Sequence, residues 1–176
     1  MFERTALALL VVITLLAAPA YAQDGLEGAI SFKNEFPDPS LTGPPISLVS
    51  KLSADEESAV VESPGVGEVS FTLERPTQRL SWRLRYSGLS SPATSISIHG
   101  PGTPGVNAGV LFDLAPKGVP KGSTGETQGT VKLTDGELSY LLMDRMYVNI
   151  ATKKYTDGEI RGEIERIRSN PLTAKR

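Results

Sequence analysis

The chain has 176 residues, 22% of them charged, with a net charge of −2 and no cysteine. That balance offers nothing to recruit nucleic acid, and the lack of thiols excludes disulfide staples, thiolate metal centres and a cysteine nucleophile. The length suffices for one domain, since a chain of about 150 residues buries roughly 68–70% of its unfolded surface on folding.

In chain order, the amino terminus and Arg4 precede an uncharged run, Ala6 to Ala18, closed by Pro19 and the small-residue pattern Ala20-Tyr21-Ala22. The run is short against the ~20 apolar residues of a membrane span and reads as a secretory signal peptide over 1–22, cleaved after Ala22. This predicts a periplasmic or secreted product. No cysteine follows the cleavage site, so no lipid-modified residue would hold the mature chain on a membrane and no stable anchor is expected. Residues 23–45 are rich in Gly, Pro, Asp and Ser and read as an arm, in which Ala29 to Phe32 is expected to add an edge strand. The domain proper is placed at 46–167. Residues 168–176, with Lys175 and Arg176 beyond Pro171, read as a disordered, solvated tail.

Within the domain, short alternating segments recur between turn residues, the pattern of an all-β sandwich or barrel. In Glu68 to Leu73, Val69, Phe71 and Leu73 share one face. In Arg79 to Tyr86, Leu80, Trp82, Leu84 and Tyr86 alternate with polar residues, a period of two that no helix matches. The turn Arg75-Pro76-Thr77 makes these two an antiparallel hairpin. Thr94 to His99 places Ile96 and Ile98 inward, with Ser95, Ser97 and His99 on the opposite face. Further strands are predicted at Val110 to Leu114, Gly129 to Leu133, Tyr147 to Thr152 and Glu159 to Ile167. Thr134-Asp135-Gly136-Glu137 matches a capping box and opens one short helix striped by Leu138, Leu141 and Leu142. Met143 and Met146 are expected in the core as flexible gap-fillers.

Few residues invite chemistry. His99 is the one histidine; there is no nucleophile elbow and no phosphate-binding glycine loop. The acidic run Asp55, Glu56 and Glu57 reads as a solvated loop, because a working carboxylate pair needs two different environments. Imidazoles at i and i+2 of a strand share a face and suit copper or zinc, but Ser97 fills the partner position of His99. His99 is therefore read as a hydrogen-bonded structural residue, a weak or oxygen-assisted metal contact being the alternative.

The segment from about Leu48 to Ile167 resembles the CHRD domain family, named for its occurrence in chordin and common in exported bacterial proteins. The likeness rests on Ser63-Pro64-Gly65-Val66-Gly67 with the strand after it, on Leu80 to Leu89, and on Ile98-His99-Gly100-Pro101. Its most specific parts are Tyr147-Val148-Asn149-Ile150 with Thr152 and the closing Gly158-Glu159-Ile160-Arg161-Gly162-Glu163-Ile164. In that closing motif Ile160 and Ile164 should face the core, Glu159, Arg161 and Glu163 should share the other face, and Gly162 should let another backbone approach. Glu57 matches the acidic residue of the family's first loop and is expected to pair with Arg161. Family members carry His-Xaa-His at the strand that matches Thr94 to His99 and a further histidine after the Tyr-Val-Asn segment, and some are similar to copper-only superoxide dismutases. This chain has Ser97 and Ala151 at two of those three places, and Ala59-Val60 where a Pro pair is usual.

The resemblance implies an immunoglobulin-like or superoxide-dismutase-like antiparallel β-sandwich with one short helix. The functional expectation is an exported binding or structural module without catalytic activity, whose partner is a protein or a cell-envelope component. No cofactor is expected. The alternative is a copper-binding, superoxide-dismutase-like redox protein with a degenerate site at His99.

Overall fold

The computed structural model describes residues 41–167. The expected signal peptide at 1–22, the arm as far as residue 40 with its expected strand at Ala29 to Phe32, and the tail expected at 168–176 lie outside the described residues. Among the described residues, no helix is long and apolar enough to cross a membrane.

The described chain forms β1 (Ile46–Ser53), β2 (Val66–Glu74), β3 (Arg79–Ser87), β4 (Ala93–His99), β5 (Val110–Asp113), β6 (Gly125–Lys132), α1 (Asp135–Leu142), β7 (Tyr147–Thr152), β8 (Ile160–Glu163) and β9 (Glu165–Arg166). Every strand pairing is antiparallel. The central hairpin follows from residue alternation. Val69, Phe71 and Leu73 of β2 and Leu80, Trp82, Leu84 and Tyr86 of β3 are buried, and Phe71 lies opposite Trp82. A one-residue slip would turn all seven outward, so burial itself sets the register. The turn between them is a 3-10 turn at Arg75–Thr77 with Pro76 inside it, closed by Gln78 in the left-handed region at φ 54°.

Pairing links the strands in the order β5-β4-β7-β8-β1-β2-β3-β6, with β9 beside β1. One apolar cluster draws Leu48, Phe71 and Leu84 from one half of this path and Ile96, Ile98, Val148, Ile150 and Ile160 from the other. The sheet therefore curls onto itself and buries one face of each half against the other. In place of two separate sheets the strands form one continuous, curled antiparallel sheet, whose seam is narrow: Ser53 opposite Arg161, and Leu48 and Val49 opposite Arg166 and Glu165. The Trp82 indole N–H donates across the interior to the Leu114 carbonyl at 3.2 Å, satisfying the polar edge of a buried ring.

Helix α1 begins on the expected capping box. The Glu137 N–H donates to Thr134 Oγ1 at 3.3 Å, and the Thr134 N–H donates back to Glu137 Oε2 at 2.8 Å.

Three expectations need correction. Met143 is 66% exposed while Met146 is buried: Met143 caps the helix, and the chain reverses at Asp144 (φ 56°), so the apolar stripe ends at Leu142. Strand β6 starts at Gly125 rather than Gly129, because β3 pairs with it from Tyr86↔Gly125 to Arg79↔Lys132 and supplies order that its own composition does not signal. The single closing strand is two strands. The Ile164 N–H turns to the Met146 carbonyl, and the chain then leaves β7 to pair with β1.

Candidate functional site

Strands β4, β7 and β8 turn Ile96, Ile98, Val148, Ile150 and Ile160 into the core, so alternation sends the intervening residues to the outer face. Register then brings two rows together: His99, Tyr147 and Glu163, and beside it Ser97, Asn149 and Arg161. A row of polar side chains on a sheet face would ordinarily meet water. Here Ser97, Tyr147, Asn149 and Arg161 are all buried, and the segment from Pro101 to Gly109 lies over Tyr147 and Arg161.

Arg161 holds that cover in place. Its guanidinium is wholly buried, donating from Nη2 to the Thr103 carbonyl (3.3 Å), from Nη1 to the Val106 carbonyl (3.2 Å) and to Asn107 Oδ1 (3.4 Å), and from Nε and Nη2 to Glu163 Oε1 (3.2 and 2.8 Å). A buried cation is tolerable only when its donors are filled and a counter-charge lies close, and Glu163 and the loop carbonyls meet both conditions. The guanidinium also lies 3.5 Å from the Tyr147 ring centroid. The same Tyr147 ring stacks on His99, centroids 5.0 Å apart and planes 15° from parallel.

His99 binds through both ring nitrogens. Nδ1 lies 2.9 Å from the Ala108 carbonyl, which only accepts, so Nδ1 carries the proton; Nε2 lies 2.9 Å from Ser97 Oγ. The Ala108 N–H donates to the Tyr147 hydroxyl at 2.9 Å. His99 and Tyr147 thus pin one end of the covering loop while Arg161 pins the middle.

The Ser97–His99 contact has the polarity of a nucleophile and its base. It lacks an oxyanion site. Ser97 sits within a strand paired on both sides, opposite Asn149 and Asp113, so the N–H groups beside it serve the ladder. The three positions where the family resemblance implies histidines, Ser97, His99 and Ala151, line one groove of about 470 Å³, together with Tyr147, Asn149 and Asp157. The fold thus converges them, but the residues do not fit a copper centre. One imidazole is present and both its nitrogens are engaged. Among the described residues, no three His, Asp or Glu side chains cluster to hold a metal.

Glu159 lies apart from Arg161, against the expectation of a shared face: it precedes β8, and its N–H bonds the Ile150 carbonyl. Its carboxylate is fully buried and accepts from the hydroxyls of Ser63 (2.5 Å), Ser90 (2.8 Å) and Thr152 (2.7 Å) and from the Ser90 N–H (2.5 Å). Burial opposes its charge, yet these donors outweigh burial and hold the carboxyl below its usual range. It ties the loop after β1 and the loop after β3 to the end of β7 and the segment that enters β8. Nothing in local composition marked Ser63, Ser90 and Thr152 as its partners, since the three lie far apart in sequence.

Gly162 does what its place in the motif implied: a Cβ there would stand 2.2 Å from the Lys51 carbonyl oxygen. Glu57 does not. The ion pair of Arg161 is with Glu163, and Glu57 is no solvated acid. Its Oε1 is buried without a partner, and burial pushes its carboxyl up to about 7, against a smaller opposing pull from the Arg161 charge. A sequence shows that a loop is acidic, not that a second loop folds down upon it.

The model of the CHRD domain matches residues 48–164. Chordin of Danio rerio is 32% identical over 130 residues, which is 74% of this chain and 13% of that protein. The chain therefore spans a small part of the length of that relative. No solved structure gives a significant match. The matched residues run from the first core position of β1, Leu48, to the last core position of the closing motif, Ile164, and the chain belongs to the CHRD domain family.

Proposed function

We propose that this chain is an exported, non-catalytic binding module that takes a protein partner on the loops at the groove's rim. The observation that carries the reading is how the outer face is used. Arg161, Tyr147 and His99, the residues best suited to chemistry, spend their donors on backbone carbonyls at 103, 106 and 108. They fix a surface loop rather than present reactive groups. A loop held on a rigid sheet is how binding surfaces are commonly built, since the scaffold removes the entropy that ordering would otherwise consume. On and beside that loop, Val106 and Val110 are 54% and 64% exposed, apolar contacts of the kind partners cover. Export is supported by the signal-like run at 1–22.

The test uses the exported chain with a photo-crosslinking residue at Val110, exposed to its own secreted or envelope fraction. One saturable protein adduct is expected, competed by unlabelled wild-type chain and not by a Val106→Asp, Val110→Asp variant. Absence of any saturable adduct, or equal competition by the variant, would overturn the reading.

A further inference from the structure

Around Arg161 there are more buried acceptors than donors. Glu57 Oε1, Asn149 Oδ1 and Glu163 Oε2 are each buried without a hydrogen-bond partner, an arrangement that ordinarily demands an explanation. Arg161 cannot supply the missing donors, for its Nε, Nη1 and Nη2 are already committed to Glu163, Asn107 and two loop carbonyls. The Asn149 amide cannot be turned to help. Its Nδ2 donates to the Asp157 carbonyl at 3.0 Å, which leaves Oδ1 as an acceptor. Two of the three orphan oxygens converge on one place. A Cβ built on Gly158 would stand 2.5 Å from Glu57 Oε1 and 2.7 Å from Asn149 Oδ1. The absence of a side chain at Gly158 leaves room for both groups, the Asn149 Nδ2 also standing 2.5 Å from that Cβ.

We infer that Glu57 is a protonated acid in the folded protein, donating its hydroxyl to Asn149 Oδ1 and so fastening the loop after β1 to β7. One proton satisfies both orphan oxygens, where ionised Glu57 would leave each unpaired beside a second carboxylate. The charged groups facing Glu57 are Arg161 and Glu163 of β8. Asp157 contributes its backbone carbonyl to Asn149 and keeps its side chain exposed, as do Asp55 and Glu56 of the turn before Glu57. Since Arg161 is already neutralised by Glu163 at 2.8 Å, its pull on Glu57 is spent in part. Burial wins, and the carboxyl sits at about 7. The fastening is then a pH-sensitive one, closed in mild acid and released as the medium turns alkaline.

The sign follows from linkage. An acid raised from 4.5 to about 7 on folding binds its proton more tightly in the native state, so stability declines as pH rises from one value to the other and is level beyond. The direct experiment is a carbon-detected NMR titration of the wild-type side-chain carboxyls. Glu57 is expected to titrate with a midpoint near 7; a midpoint near 4.5 would overturn the proposal. A second measurement compares urea midpoints of wild type and Glu57→Gln, whose amide keeps a donor for Asn149 without a charge. The variant should gain on wild type between pH 5 and pH 7.5, whereas a constant difference would sink the idea. Calcium chloride added at pH 8 should leave wild type and variant equally affected. Selective stabilisation of wild type would assign the cluster to a cation instead of a proton.

Discussion

Arg161 and Tyr147 lie one strand apart and touch through the ring face, the guanidinium carbon 3.5 Å from the ring centroid. The pair converts a polar strip of sheet into a buried floor under the loop from Pro101 to Gly109. Neither residue is adjacent to that loop in sequence. Both reach it because β7 and β8 are neighbours.

Replacing Arg161 should therefore release the loop and destabilise the domain. Arg161→Met removes every donor and leaves Glu163 buried without its cation, a change expected to cost about 3–5 kcal/mol in urea unfolding. Arg161→Lys keeps the charge but not the planar fork that serves Glu163 and three loop acceptors together, and should recover less than half of the loss. Amide exchange should accelerate first between Thr103 and Ala108.

Glu159 should behave as an acid-side stabiliser, opposite in sign to Glu57. Its carboxyl is held below the usual range in the fold, so its contribution is complete above the ordinary value of 4.5 and fades as pH falls through the lower native value. Glu159→Gln should cost about 2–4 kcal/mol at pH 7, since at least one of four hydrogen-bond donors then faces an amide N–H. The wild-type urea midpoint should fall below pH 4.5 more steeply than that of the variant.

The groove is expected to gain copper rather than to hold it already. Ser97→His with Ala151→His would place imidazoles at all three positions on one groove and release His99 from its Ser97 contact. Calorimetric titration should then show copper affinity at least about tenfold above wild type. Wild type and His99→Ala should titrate alike. A wild-type affinity that His99→Ala abolishes would contradict the structural role assigned to this histidine.

Gly162→Ala should prevent folding or cost more than about 4 kcal/mol by thermal or urea unfolding, because its Cβ would stand 2.2 Å from a backbone oxygen of β1. Gly158→Ala meets the Glu57 and Asn149 side chains instead and carries φ +146°. It should fold with a smaller loss and abolish the pH dependence assigned to Glu57.

Alternation alone placed β2, β3 and β4, and the Thr134-to-Glu137 spacing placed α1, since each of these signals is written within a few consecutive residues. The closing motif likewise announced Gly162 as a point of close approach and Ile160 and Ile164 as core. Where a strand drew its order from a partner, as β6 does from β3, the local pattern was too weak to find its start. The end of the apolar stripe at Met143 was equally hidden, for a left-handed residue at Asp144 decides it.

For the candidate site, the sequence by itself determined which residues lie on the outer face of β4, because side chains alternate whatever the strand pairs with. It also determined that a three-histidine centre is absent, since Ser97 and Ala151 are simply read off. Only the tertiary structure decided who meets whom. Glu163, rather than Glu57, takes Arg161; Glu57 and Asn149 both border Gly158; and Glu159 gathers Ser63, Ser90 and Thr152. Those pairings depend on how loops cross strands distant in sequence, and burial, which turns an ordinary acid into a proton-holding one, is a property of the folded neighbourhood alone.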